Sequence, residues 1–160
     1  MDFPNFEQHI TVTMSEVEQL VAAGAEIVAL DCSLCERVDG RSVDEFIEAI
    51  KKKYHELIVM ADILTYEEGI NAYEAGVDLV STTLSGYTPY TKYTSDPDYE
   101  LVSKLSLHLP IPIIAQGRIH LPEQAAKMMK LGAYTVVVGG VITRPLEITQ
   151  RFVNALHQEV

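Results

Sequence analysis

Five short apolar runs in this chain each end in residues that can hold an anion, bind hydroxyls or move protons. These are Asp31, Asp62, the pair Thr82 and Thr83, Gln116, and the pair Gly139 and Gly140. Carboxylates accept sugar hydroxyls, help to open a ring and carry protons, while threonine hydroxyls orient such a ligand. The last two runs, Ile113-Ile114-Ala115-Gln116-Gly117-Arg118 and Val136-Val137-Val138-Gly139-Gly140, are too short for buried helices and end in glycine just before a helix start. Each reads as a buried parallel strand delivering bare backbone amides to a ligand. Such amides and the positive end of a helix favour an anion, so the pair predicts a site for a phosphorylated small molecule. Arg118 or Arg144 can supply the local positive charge.

The segment TTLSGYTPYT, Thr82 to Thr91, is too polar and turn-rich to continue a strand and reads as an active-site loop. His120 stands at a helix start and reads as a structural histidine. Cys32 and Cys35 lack a second Cys or His pair to complete a zinc site and a helix N-terminus to activate a thiolate. Neither metal nor redox chemistry is expected of them.

The elements that must carry these residues repeat. Ala23-Gly24-Ala25, Ala75-Gly76-Val77 and Leu131-Gly132-Ala133 each close a helix through a left-handed C-cap, and a strand follows at once. The copies lie somewhat over fifty residues apart, which suits two βα units, so Leu57 to Asp62 and Ile111 to Gln116 read as strands in the gaps. Thr13 with Glu16, Ser42 with Glu45 and Thr65 with Glu68 have the spacing of capping boxes. Pro122 and Pro145 suit the first helical position. The pattern predicts an extended segment at Ile10 to Thr13, helices near 14–23, 43–54, 66–75, 97–108, 121–131 and 146–157, and five core strands between them.

Strands alternating with helices imply a parallel sheet with right-handed crossovers, either curled as a barrel or open and doubly wound. The phosphate signature favours the barrel, whose functional groups gather at the C-terminal ends of its strands. A closed (β/α)8 barrel takes roughly 250 residues. The expected fold is therefore an incomplete (β/α)8 TIM barrel of the phosphate-binding type. It has about five βα units, strands 4 to 8, preceded by one helix, and residues 1–160 form one domain.

Composition narrows the function. The chain has 160 residues, 48% hydrophobic, and a formal charge of −11, which argues against nucleic-acid or anionic-membrane binding. Its one basic run, Lys51-Lys52-Lys53, reads as a solvated helix C-terminus, where cations suit the dipole. No apolar stretch approaches membrane-spanning length, and Met1 to Asn5 lacks the features of a signal peptide, so a cytoplasmic protein is expected.

Thr82 to Thr91 as TTLSGYTPYT, Ala115 to His120 as AQGRIH, and Val138 to Pro145 as VGGVITRP, with Ala29-Leu30-Asp31 and Met60-Ala61-Asp62, closely resemble the N-acetylmannosamine-6-phosphate 2-epimerases of bacterial sialic acid catabolism. The resemblance covers essentially the whole chain. It implies a (β/α)8 barrel without metal or organic cofactor that interconverts N-acetylmannosamine 6-phosphate and N-acetylglucosamine 6-phosphate by proton transfer at C2. It places Asp62 against the sugar, assisting the open-chain form, and Arg144 with Gly117, Gly139 and Gly140 at the phosphate. Asp31, Thr82 and Thr83 are the further substrate-binding candidates.

Two departures bear on catalysis. The family's lysine belongs to a segment resembling Lys-Arg-Asp-Tyr-Pro, of which Asp2-Phe3-Pro4 resembles the tail, so that lysine falls before Met1. The family's glutamate stands in an Ala-Glu-Gly triplet where this chain has Ala115-Gln116-Gly117. Glutamine keeps the size and hydrogen bonding of glutamate but is not a base near neutral pH. The readings that follow are an epimerase inactive on its own, part of an enzyme completed by another chain, and an inactive sugar-phosphate-binding fragment or pseudoenzyme. Two exposed sheet edges predict association, as a homodimer or an aggregate.

Overall fold

The computed structural model describes residues 10–35, 37–86 and 95–158. Five strands, β1 (Ile27–Asp31), β2 (Ile58–Asp62), β3 (Leu79–Ser81), β4 (Ile113–Gln116) and β5 (Thr135–Val137), form one parallel sheet in the order β1-β2-β3-β4-β5. A doubly wound sheet reverses direction at a switch point, and this order has none. The helices are α1 (Met14–Ala22), α2 (Val43–Lys53), α3 (Tyr66–Glu74), α4 (Tyr99–His108), α5 (Pro122–Lys130), α6 (Gly140–Thr143) and α7 (Pro145–Gln158). Helices α1 to α4 each pack on the next, as one layer beside the sheet.

Strand side chains alternate between two faces, and here the faces differ. Val28, Leu30, Val59, Ala61, Val80 and Ile113 join helix residues such as Phe46, Ile47, Ile50 and Leu105 in the main core. The other face carries Ile27, Asp31, Ile58, Asp62, Ser81, Gln116 and Val137, and it is only partly covered: Ile27 is 50% exposed, Val137 40% and Ile58 38%. The expectation that the Val136 to Gly140 run forms a buried strand fails here, because β5 is an edge strand with Thr135 and Val137 exposed. Helix α7 likewise leaves Leu146, Phe152 and Leu156 exposed.

Local signals explain the helix starts. All three capping boxes form, with Thr13, Ser42 and Thr65 accepting from the amides of Glu16, Glu45 and Glu68. Replacing Ser42 by alanine is expected to cost about 1 kcal/mol of unfolding free energy, read from the urea midpoint, because the Glu45 amide loses its acceptor. Gly24, Gly76 and Gly132 have φ of +88°, +96° and +101°, as left-handed C-caps require. At Gly69 the constraint is space: a Cβ there would lie 2.6 Å from Leu105 Cδ2, so α3 and α4 approach closely.

Three expectations need correction. Ile10 to Thr13 is not a strand, since Thr11 has φ +45°, although the Ile10 carbonyl accepts from the Asp31 amide at 2.7 Å. Helix α4 starts at Tyr99, two residues late, because the Asp98 side chain accepts from the Leu101 amide and caps it. The lysine run does more than sit in water. Lys51 donates to Asp78 and to the Leu57 carbonyl, and Lys53 pairs with Glu18 at 2.7 Å, joining α2 to its neighbours.

Candidate active site

Register brings the strand ends level. Asp31 pairs with Asp62, Asp62 with Ser81, and Gln116 with Val137. Register partners in parallel strands share a face, so the two carboxylates are neighbours. Asp31 is fully buried, and its Oδ1 accepts from the Ser33 amide at 3.0 Å and the Ser33 hydroxyl at 2.6 Å. Above it Arg37 donates to the Asp31 carbonyl at 3.1 Å and the Val12 carbonyl at 2.6 Å, its guanidinium 3.9 Å over the Phe46 ring. This buried arginine pins the end of β1; no local sequence pattern marks it.

Asp62 accepts a hydrogen bond from Thr83, whose hydroxyl lies 2.7 Å from that of Ser81. Burial pushes its carboxyl up to about 6, with Asp31 adding to the rise and the Thr83 and Ser81 hydroxyls opposing it. A carboxyl poised there can hold or give up a proton near neutrality. Glu68 is also pushed up by burial, against the amides of Leu64, Leu34 and Thr65, which it accepts. Burial raises the thiols of Cys32 and Cys35, the opposite of what an attacking thiolate needs.

Thr82 is buried and does not reach the ligand space. Its hydroxyl donates to the Gln116 carbonyl at 2.9 Å and accepts from the Gln116 amide at 3.1 Å, a two-way clamp between the ends of β3 and β4. Beyond that clamp a pocket of about 480 Å³ opens. Thr83, Gln116, Gly117 and Arg118 line one side, and Gly139, Gly140, Arg144 and Arg151 the other. Arg144 donates to Glu147 at 2.8 Å within it. His120 lines the rim, its amide donating to the Gln124 side chain at 2.7 Å.

Of the predicted site residues, Thr83, Gln116, Gly117, Gly139, Gly140 and Arg144 share this pocket. Asp62 joins it through Thr83, while Asp31 and Thr82 lie beneath as supports. Arg151 went unpredicted; α7 (Pro145–Gln158) carries it to the pocket that Arg144, just before that helix, also lines. The short helix α6 gave no periodicity to read. Arg118, a candidate for the local positive charge, lines the pocket and is only 7% exposed. Residues Tyr87 to Thr91 of the predicted loop, and Asp2-Phe3-Pro4, lie outside the described residues.

Residues 1–158 match the profile of a family described as "Putative N-acetylmannosamine-6-phosphate epimerase". The chain belongs to the N-acetylmannosamine-6-phosphate epimerase family. A relative described as "Putative N-acetylmannosamine-6-phosphate 2-epimerase" from Caldanaerobacter subterraneus subsp. tengcongensis is 50% identical over 156 residues, covering 98% of this chain and 66% of its own. One with the same description from Clostridium perfringens is 46% identical over 155 residues, covering 97% and 69%. The solved structure of the N-acetylmannosamine-6-phosphate 2-epimerase from Clostridium perfringens superposes with a TM-score of 0.86 at 46% identity, over 97% of this chain and 67% of that one. The chain thus spans about two thirds of the length of these epimerase-family relatives.

Proposed function

We propose that this chain binds N-acetylmannosamine 6-phosphate and its 2-epimer N-acetylglucosamine 6-phosphate, as the phosphate-binding portion of a 2-epimerase. The observation that carries the reading is the joining of Gly117, Gly139, Gly140 and Arg144, from two consecutive strand ends, in one pocket whose rim holds Gln116 and the Thr83–Asp62 pair. The phosphate sits on the glycine amides and the arginine, which supply an anion site in an otherwise acidic chain. The sugar then extends towards Thr83, with Asp62 serving the open-chain aldehyde. Epimerisation needs that aldehyde, because only then does the C2 hydrogen become acidic, and a base must remove it while the enolate is stabilised.

The fold belongs to the same reading. Sequential parallel order, helices along one face and apolar and site residues on the other support five units of a (β/α)8 barrel curving around an unfilled interior. Among the described residues no further strand pairs with β1 or β5 at the two ends of the sheet, and this and the exposed apolar face of α7 support self-association as a homodimer. No helix among the described residues is long and apolar enough to cross a membrane. A phosphorylated sugar substrate supports a cytoplasmic location.

Calorimetric titration tests the binding. N-acetylmannosamine 6-phosphate is expected to bind and the unphosphorylated sugar not to, and Arg144→Ala is expected to weaken binding about 10–100-fold, the worth of a hydrogen bond to a charged group. Equal affinity for both sugars would overturn the reading. A second reading, binding without turnover, is favoured by Gln116, which cannot act as the base.

A further inference from the structure

We propose that Arg118 is a positioning residue that braces the loop after β3 and so sets where Thr83 stands between Asp62 and the anion pocket. The two backbones that meet there are both unusual. Arg118 has φ +55°, a left-handed conformation rare for a residue with a Cβ, and Gly86 has φ +74°. The Arg118 guanidinium occupies the space a side chain at residue 86 would need. An ideal Cβ on Gly86 would lie 1.3 Å from Nη1, 2.4 Å from Cζ and 3.0 Å from Nη2. A side chain at residue 86 would displace the guanidinium and add strain at a positive φ, so glycine lets the loop rest on the arginine where it stands.

The contact completes a set of ties on residues 82–86. Thr82 is clamped to the Gln116 backbone, Thr83 donates to Asp62, and the Ser85 hydroxyl donates to Asp98 at 2.7 Å. Gly86 is the last of these residues, and the buried Arg118 side chain is what it rests on. Arg118 follows Gln116 and Gly117 directly, so one residue joins the loop that carries Thr83 to the strand end that carries the pocket's first glycine. A planar guanidinium can lie against a backbone in this way, whereas a lysine ammonium is a compact, strongly hydrated charge on a flexible stem. Arg118 lines the pocket with Arg144 and Arg151 but is buried where they are exposed, and through Thr83 it acts on the sugar end of the ligand.

The functional consequence rests on the sugar-phosphate reading above; the brace itself does not. The test compares the parent with Arg118→Lys, Arg118→Ala, Gly86→Ala and the double variant Gly86→Ala with Arg118→Ala. Affinities for N-acetylmannosamine 6-phosphate and for inorganic phosphate are measured, and the Asp62 carboxyl is titrated by carbon NMR. Arg118→Lys and Gly86→Ala are each expected to weaken sugar-phosphate binding about tenfold, by more than they weaken inorganic phosphate binding, and to move the Asp62 midpoint. Gly86→Ala should cost less in the Arg118→Ala background than in the parent, because the clash has been removed. Parallel loss of both ligands with an unmoved Asp62 midpoint would make Arg118 a phosphate ligand and overturn the proposal, as would additive effects in the double variant. If the parent binds neither ligand, the function reading fails, while the Asp62 titration still decides the brace.

Discussion

Changing Gln116 to glutamate is expected to raise the exchange of the C2 hydrogen of N-acetylmannosamine 6-phosphate for solvent deuterium by about 10²–10⁴-fold over the parent chain, the usual worth of one positioned general base. The parent is expected to bind the sugar phosphate and leave C2 at the buffer rate. The argument is one of geometry preserved and chemistry altered. The Gln116 backbone is held at both ends of its peptide by Thr82, so a glutamate of nearly equal size inherits the same position at the pocket rim. What changes is the lone pair: the amide oxygen accepts a hydrogen bond but does not take up a proton near neutral pH, whereas a carboxylate does. Proton NMR in deuterated buffer follows the C2 signal directly. Exchange by the unmodified chain at the rate of the variant would show that another group is the base and that Gln116 is not what limits turnover.

Asp62→Asn is expected to stabilise the folded chain at neutral pH by about 3 kcal/mol and to leave it nearly unchanged near pH 3.5. The carboxyl is held at about 6 in the fold, against an ordinary value of 3.8, chiefly by burial. The folded state therefore binds this proton more tightly than the unfolded chain does. Its stabilising contribution is complete below 3.8 and is lost as the pH rises through about 6. Above that the buried charge opposes folding. Asparagine keeps the acceptor for the Thr83 hydroxyl and carries no charge at any pH, so it retains the low-pH level throughout. Urea midpoints at pH 3.5 and 7.5 for both proteins measure the difference. A variant less stable than the parent at pH 7.5 would mean that Thr83 and Ser81 compensate the ionised carboxylate fully. That a residue proposed to face the substrate should cost stability is the expected trade at a functional site.

Much of this fold is legible because its signals are local. The capping boxes at Thr13, Ser42 and Thr65 and the left-handed glycines at 24, 76 and 132 act within a few residues, where chain entropy is small and backbone hydrogen bonding decides the conformation. The ends of β1, β2 and β4 at Asp31, Asp62 and Gln116 are legible as the polar residue that closes an apolar run, whereas β3 and β5 stop short of the expected Thr83 and Gly140, at Ser81 and Val137. Where non-local packing decides, the sequence is silent or misleading. Val136 to Gly140 has the composition of a buried strand, yet β5 lies at an edge with Val137 exposed. Arg118 reads only as a candidate for local positive charge, and its burial is set by the space over Gly86, thirty-two residues away.

The chain by itself determined the order of elements, the residues that stand at the ends of its strands, and the glutamine at a position where its family resemblance puts a glutamate. Each follows from neighbours in sequence. Only the tertiary structure decided which of those strand-end residues share a space. Parallel register sets Asp31 beside Asp62, but the folding of Ser33 back onto Asp31 makes one carboxylate a support and leaves the other bonded to Thr83 at the pocket. Thr82 and Thr83 are adjacent in the chain and point to different tasks, one clamping Gln116 and one facing the ligand space. The reason is where β3 stops: after Ser81 the chain turns, with the Ser85 amide donating to the Thr82 carbonyl, and what packs against that turn fixes which hydroxyl meets Gln116 and which meets Asp62.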